Sequence, residues 1–163
     1  MALARFLERI SALDVQVEVH EMEHSTHTAE EAAAAVGCEA GAIVKSLLFL
    51  VGEEPLLVLT SGVNRVDTGR LAEVVGSPVA MADPKTVKTI TGYSIGGVPP
   101  FGHITKLRTI VDEDLLGHNV VWAAAGAATA VFPIPSSRLV TITGAEVARV
   151  AVAVGVGPTG ALR

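Results

Sequence analysis

The chain has 163 residues, half of them hydrophobic and 18% charged, with a formal net charge of −5. That length fits one domain with a core of its own, the acidic balance argues against loose, non-specific nucleic-acid binding, and the single cysteine, Cys38, excludes an internal disulfide. Charged residues fall below the roughly 25% usual in soluble domains. Either a homodimer that covers apolar surface or a compact Ala- and Val-rich core accounts for that.

The opening "MALARFLERISALDVQ" carries Arg5, Glu8 and Arg9 inside an apolar pattern at helical spacing. It predicts an amphipathic helix from about Leu3 to Leu13 rather than a secretory signal. "DVQVEVH" then alternates Val15, Val17 and Val19 with polar residues, the period of a half-buried strand. The next five residues, His20 to His24, spell "HEMEH", the H-E-x-x-H signature of zinc proteases. That chemistry needs a helix, where residues i and i+4 share one face. On an extended chain His20 and His24 would stand about 13 Å apart, at roughly 3.3 Å per residue. A capping box, Thr28 with Glu31 three residues on, starts the helix only after the motif, and Gly37 closes it. The zinc reading therefore lacks its structural context, and no metal is expected.

"AIVKSLLFLVGEEPLLVLTSG" predicts two strands joined by a Gly-Glu-Glu-Pro turn. Asp67 and Gly76 bracket a short helix, and Asp83 with Pro84 begins another after a short strand in "SPVAMA". "RTIVDEDLL", "NVVWAAAG" and "AVFPIP" are strand-like, "PSSRLVTITG" is a capped helix, and the closing "VAVGVGPTGALR" is expected to fray. Strands outnumber helices and several connections are hairpin-short. The expectation is a single mixed α/β domain over residues 1–163, around a largely antiparallel sheet. The most apolar run, "VVWAAAGAATAVFPIP", is interrupted by Gly126, Thr129 and two prolines and falls short of the roughly 20 residues of a membrane helix. A soluble, cytoplasmic protein is expected.

Charge is unevenly spread. Residues 45–108 hold seven basic groups against five acids, including all four lysines of the chain. Such a segment is either ordinary solvated surface or a basic face for one defined polyanion. Two features stand out within it. Lys45 lies in "AIVKSLLFL", where it either snorkels to the surface or is held at a pocket rim to meet an anion. "GGVPPFG", Gly96 to Gly102, cannot continue a helix or a central strand. It is either a structural loop with Phe101 plugged into the core, or a stiff ribbon that presents the amides of Gly96, Gly97, Val98, Phe101 and Gly102 to an oxygen. No nucleophilic triad, Walker loop or G-x-G-x-x-G is present.

Together, "AIVKSLLF", "LLVLTSGVNRVDTGRLAEVVG", "MADPKTVKTITGYSIGGVPPFGH" and "VVWAAAG" resemble the YbaK / prolyl-tRNA-synthetase-associated domain family of free-standing aminoacyl-tRNA deacylases. The likeness runs from about Thr28 to Leu139. Its most specific parts are the lone Lys on the early strand and the G-x-x-P-F-G loop. The resemblance implies a mixed, mostly antiparallel, barrel-like sheet flanked by helices. It implies a trans-editing deacylase that hydrolyses the ester of a mischarged tRNA, in the family usually tRNA(Pro), with no cofactor. Lys45, Gly97, Phe101 and Gly102 would be the catalytic set: Lys45 holds the phosphate or ribose of the acceptor end, and the loop amides orient the ester. Met22, Thr60, Ser61, Val98, Pro100, Ala125 and Gly126 would line the substrate pocket. Arg65, Lys85, Lys88, Lys106 and Arg108 would meet tRNA phosphates. Met22 stands where cysteine-editing members tend to carry Tyr, and "AAAGAATAV" replaces a more polar stretch, so the resemblance implies a more apolar amino-acid pocket here. The alternative is a non-catalytic module that binds tRNA or prolyl-tRNA synthetase.

Overall fold

The computed structural model describes residues 2–23 and 28–152; His24, His27 and most of the closing tail lie outside them. Helix α1 spans Ala2–Ala12, and β1 is a two-residue strand, His20–Glu21. Helix α2, Ala29–Val36, opens on Thr28, whose Oγ1 accepts the Glu31 N–H at 3.1 Å, and stops at Gly37 in the left-handed region. Strands β2 (Val44–Val51) and β3 (Glu54–Ser61) form a hairpin. Its two-residue loop has Gly52 at φ +66°, the conformation a tight hairpin turn demands of its first residue. Helix α3 (Thr68–Val75) is capped by Asp67 and ended by Gly76. A short β4 (Ala80–Met81) precedes helix α4 (Pro84–Thr91), capped by Asp83. Strands β5 (Arg108–Asp112), β6 (Val120–Ala124) and β7 (Ala130–Pro135), helix α5 (Ser136–Thr143) and β8 (Glu146–Ala148) complete the order.

One sheet has the order β4-β2-β3-β5-β8, the other β1-β7-β6. Four of the six ladders are antiparallel; β3 with β5 and β5 with β8 are parallel. The sheets touch at a parallel bridge between Ile43 and Trp122, and among the described residues they do not close into a barrel. Strand β3 is central and buried on both faces, which is why "LLVL" reads as a continuous apolar run rather than an alternation. Leu57 and Leu59 face a core with Phe6 and Ile10 of α1, Tyr93, Phe101, Phe132 and Leu139. Leu56 and Val58 face the other way, onto Phe49, Leu71, Ile110 and Val150.

Three expectations differ from the structure in detail. Val15, Val17 and Val19 do alternate in burial, but only His20 and Glu21 pair with a neighbour strand. Val15 instead donates its N–H to Ile10 O at 3.0 Å, closing the end of α1. The expected cap of α5 is absent, because Ser136 Oγ donates to His118 O at 2.6 Å and the cap position falls on Pro135. Strand β8 was not signalled, being three residues long and partly polar.

Phe132 is fully buried, with its ring centroid 5.4 Å from Phe6 and 5.7 Å from Phe101. Phe132→Ala should cost about 3–5 kcal/mol of stability, read from the midpoint of urea unfolding; a loss under about 1 kcal/mol would mean that this aromatic cluster is not a central support.

Candidate active-site cleft

The hydrogen-bond alternation of β2 builds the site. Ile43 O accepts the Gly62 N–H at 2.7 Å, so the odd-numbered residues of β2 bond to β3 and the even-numbered ones turn their peptide groups to the opposite edge. On that edge Leu48 O accepts the Ala82 N–H at 3.0 Å, and β4 pairs only with Phe49 and Leu50. At the other end the bridge to Trp122 closes the gap. Between the two closures Ser46 presents its N–H and C=O to a cleft of about 250 Å3.

Lys45, Ser46, Gly96 and Val98 all line this cleft. Its other walls are α2 (Ala29, Ala32), the end of β6 (Trp122, Ala124) and the turn at Ala127 and Ala128. Lys45 lies opposite Thr60 in the β2–β3 ladder and donates from Nζ to the Asn64 carbonyl at 2.7 Å. Burial lowers its pKa from the ordinary lysine value; nearby Glu30 works against that and Arg65 with it. Asn64 is itself clamped, its Nδ2 donating to Asp114 Oδ2 at 2.7 Å and to Asp112 Oδ2 at 3.1 Å. Burial raises the pKa of the Asp112 carboxyl, while the Val150 N–H and the Asn64 amide pull it back.

The loop from Gly96 to Gly102 divides between two tasks. Its first part reaches the cleft. Gly97 sits directly behind: an added Cβ there would fall 2.8 Å from Gly126 O and from Ala127 Cα. The Gly97 N–H already donates to Ser94 O at 3.0 Å, so it is not the free donor expected from the sequence. Pro99 O accepts from His103 Nε2 at 2.7 Å, and Gly102 O accepts from the Tyr93 hydroxyl at 2.7 Å. Phe101 is buried against Phe6 and Phe132, and Gly102 packs on Phe6 and Ile10. Pro100, Phe101 and Gly102 face a second cavity, with Arg9 and Leu107.

Other expected pocket residues also fall outside the cleft lining. Thr60 is fully buried, with no partner for its hydroxyl. Ser61 turns away and donates to Gly41 O at 2.7 Å. Ala125 is in the core, and Gly126 packs at φ +101° on the carbonyl of Ala2. Met22 bonds through its backbone to Thr129 O, beside the cleft wall. The basic residues are dispersed. Arg65 lies close enough to Lys45 to act on its charge. Arg108 pairs with Leu56, four positions along β3 from Thr60, hence about 13 Å away, and bonds Glu146 at 3.8 Å. Lys106 lines the second cavity, and Lys85 and Lys88 are exposed on α4. Sequence reasoning missed Ser46, Trp122 and Asn64, whose roles depend on register and long-range contacts; only the lone tryptophan offered a signal.

The cleft contains one ammonium, an open peptide edge and small apolar walls, with no Asp, Glu, Cys or His among its described lining residues. Cys38 lies elsewhere, and burial raises its thiol pKa, so it offers no ready thiolate. His20 is on β1, edge-on to Trp122 at 4.9 Å between ring centroids, and the described residues contain no cluster of metal-ligating side chains. Such a lining offers a ligand one positive charge and backbone hydrogen-bonding groups.

Comparison with known proteins supplies the class. Residues 23–142 match the model of the aminoacyl-tRNA editing domain, and the chain belongs to that family. A crystal structure described as a candidate trans-editing enzyme for prolyl tRNA synthetase is 43% identical, with a TM-score of 0.89 over 93% of this chain and 98% of that one. The uncharacterized protein YwhH of Bacillus subtilis is 30% identical over 75% of this chain and 78% of its own length. The proline--tRNA ligase of Nitratidesulfovibrio vulgaris (strain DP4) is 33% identical over 56% of this chain, a match spanning 16% of the ligase.

Lys45 should deprotonate at a lower pH than an ordinary lysine. Its charge is present below the shifted pKa and lost above it, so anion binding at the cleft should fall on the alkaline side earlier than a free ammonium would allow. An NMR titration of the Lys45 Cε signal checks this; a midpoint at or above the ordinary lysine value would contradict it.

Proposed function

We propose that the chain is a trans-editing deacylase that hydrolyses the ester of a mischarged tRNA, with tRNA(Pro) as its substrate, acting in the cytoplasm. The observation that carries this reading is that Lys45 and the Gly96–Val98 end of the loop line one cleft. An aminoacyl ester is already activated, so positioning and oxyanion stabilisation do most of what catalysis requires. In the proposed reaction water adds to the ester carbonyl, and the resulting tetrahedral oxyanion collapses. The carbon–oxygen bond to the ribose breaks, and the ribose oxygen leaves with a proton. Lys45 holds the phosphate or ribose of the terminal adenosine. The peptide N–H of Ser46, rather than that of Gly97, is the donor available to the ester oxygen. The neutral, alanine-rich walls fit a small uncharged amino acid, and Arg65 is the basic residue placed to meet a nearby phosphate. The relation to the ligase supports tRNA(Pro), and with it prolyl-tRNA synthetase as a partner.

Incubation with Ala-, Cys- and Ser-charged tRNA(Pro) should release at least one amino acid much faster than the spontaneous rate. Lys45→Ala should lower kcat/KM by about 100-fold or more, the scale expected when a positioning contact is lost, without changing the fold. Salt-sensitive tRNA binding with no hydrolysis of any charged tRNA would instead favour the accessory-module reading.

A further inference from the structure

Lys45 has a feature unusual for a lysine in a partly buried place: among the described residues it makes no ion pair. Its one recorded hydrogen bond is to a peptide carbonyl, that of Asn64. A lysine paired with a carboxylate would meet an incoming phosphate with its charge largely neutralised. Bonded to a carbonyl, with Glu30 acting on it only from a distance, it keeps a charge that no described carboxylate contacts and two further N–H donors.

The carbonyl in turn is held with unusual care. The Asn64 N–H donates to Ser61 O at 2.9 Å, at the end of β3. Its side-chain amide spans two carboxylates, Asp112 and Asp114. Asp112 is fully buried at the end of β5, and its second oxygen accepts the Val150 N–H at 3.2 Å. The peptide that receives Lys45 is therefore fastened to β3 through its backbone and to β5 through its side chain. Two acids stand one residue behind the ammonium, where they fix its acceptor without themselves bonding to it.

We propose that Asn64, held by Asp112 and Asp114, is a positioning residue for Lys45: the two carboxylates fix the Asn64 amide, and the Asn64 carbonyl aims the ammonium into the cleft. The inference rests on the deacylase reading for its consequence in turnover, but the tether itself can be observed without any substrate. Asn64→Ala removes the bonds to both carboxylates and leaves the carbonyl on a looser turn.

In the full-length protein labelled with 13C at lysine, a tethered Lys45 should show two distinct Hε shifts. In Asn64→Ala these should merge into the averaged signal of a mobile lysine, while amide signals of the β2–β3 ladder stay in place. In the same variant kcat/KM should fall by about 10- to 100-fold, as for a contact misplaced by about an ångström. Asp114→Ala, at an exposed position, removes only the shorter of the two bonds and should loosen Lys45 partially. It serves as the test if Asn64→Ala does not fold. Unmoved Lys45 signals in a folded Asn64→Ala, or in Asp114→Ala if the first variant fails to fold, would overturn the inference. An absence of turnover in the wild-type protein would overturn the deacylase reading instead, with the Lys45 signals still reporting on the tether.

Discussion

Strand β4 is too short to cover its neighbour, and the site exists because of that. It pairs with β2 only at Phe49 and Leu50, so the opposite half of β2 keeps an open edge inside a structure that otherwise pairs its strands. An exposed strand edge is usually a liability, open to pairing with another chain. Here it is roofed by α2, the Gly96–Val98 segment and the Ala127–Ala128 turn, leaving a hollow rather than a flat rim. The hollow therefore has a peptide edge for a floor and small side chains for walls.

Two close approaches keep that hollow in shape. Gly97 lets the backbone at Gly126 and Ala127 come within reach of its Cα, and Gly126 lets the chain press on the carbonyl of Ala2. Behind them, Phe6, Phe101 and Phe132 stack into the main core. The loop that looked like a ribbon of free amides is thus mostly a packing element. Phe101 and Gly102 hold it down and Gly97 fits it against its neighbour. Gly96 and Val98 are the part that lines the cleft. Phe101 is plugged into the core, as one sequence reading of "GGVPPFG" expected, whereas the Gly97 N–H is bonded to Ser94 O.

What was legible in the sequence was what is decided within a few residues. Thr28, Asp67 and Asp83 cap the helices that follow them because a side-chain oxygen reaches an N–H two or three positions on. Gly37 and Gly76 end helices because the left-handed conformation suits them. The β2–β3 hairpin is likewise local, and Lys45 stood out because a charge in an apolar strand is rare. Which amide is free is not decided locally. The Gly97 N–H is taken by Ser94, whereas Ser46 is left open by the shortness of a strand thirty residues later. The dispersal of Lys106 and Arg108 follows from the parallel register of β5 against β3, which no spacing in the sequence reveals. The Lys45–Asn64–Asp112 chain joins three strand ends far apart in sequence, so it too was invisible before the fold.

The most direct test is to locate a bound substrate mimic. Alanine joined to 3′-amino-3′-deoxyadenosine through a stable amide carries both the amino acid and the terminal nucleoside without being hydrolysed. Mapped by NMR on the full chain, it should perturb Lys45, Ser46, Gly96, Val98 and Trp122 together and compete with aminoacyl-tRNA. Perturbations gathered instead around Arg9, Phe101 and Leu107 would contradict the account, because they would place the ligand in the second cavity, on the far side of the loop.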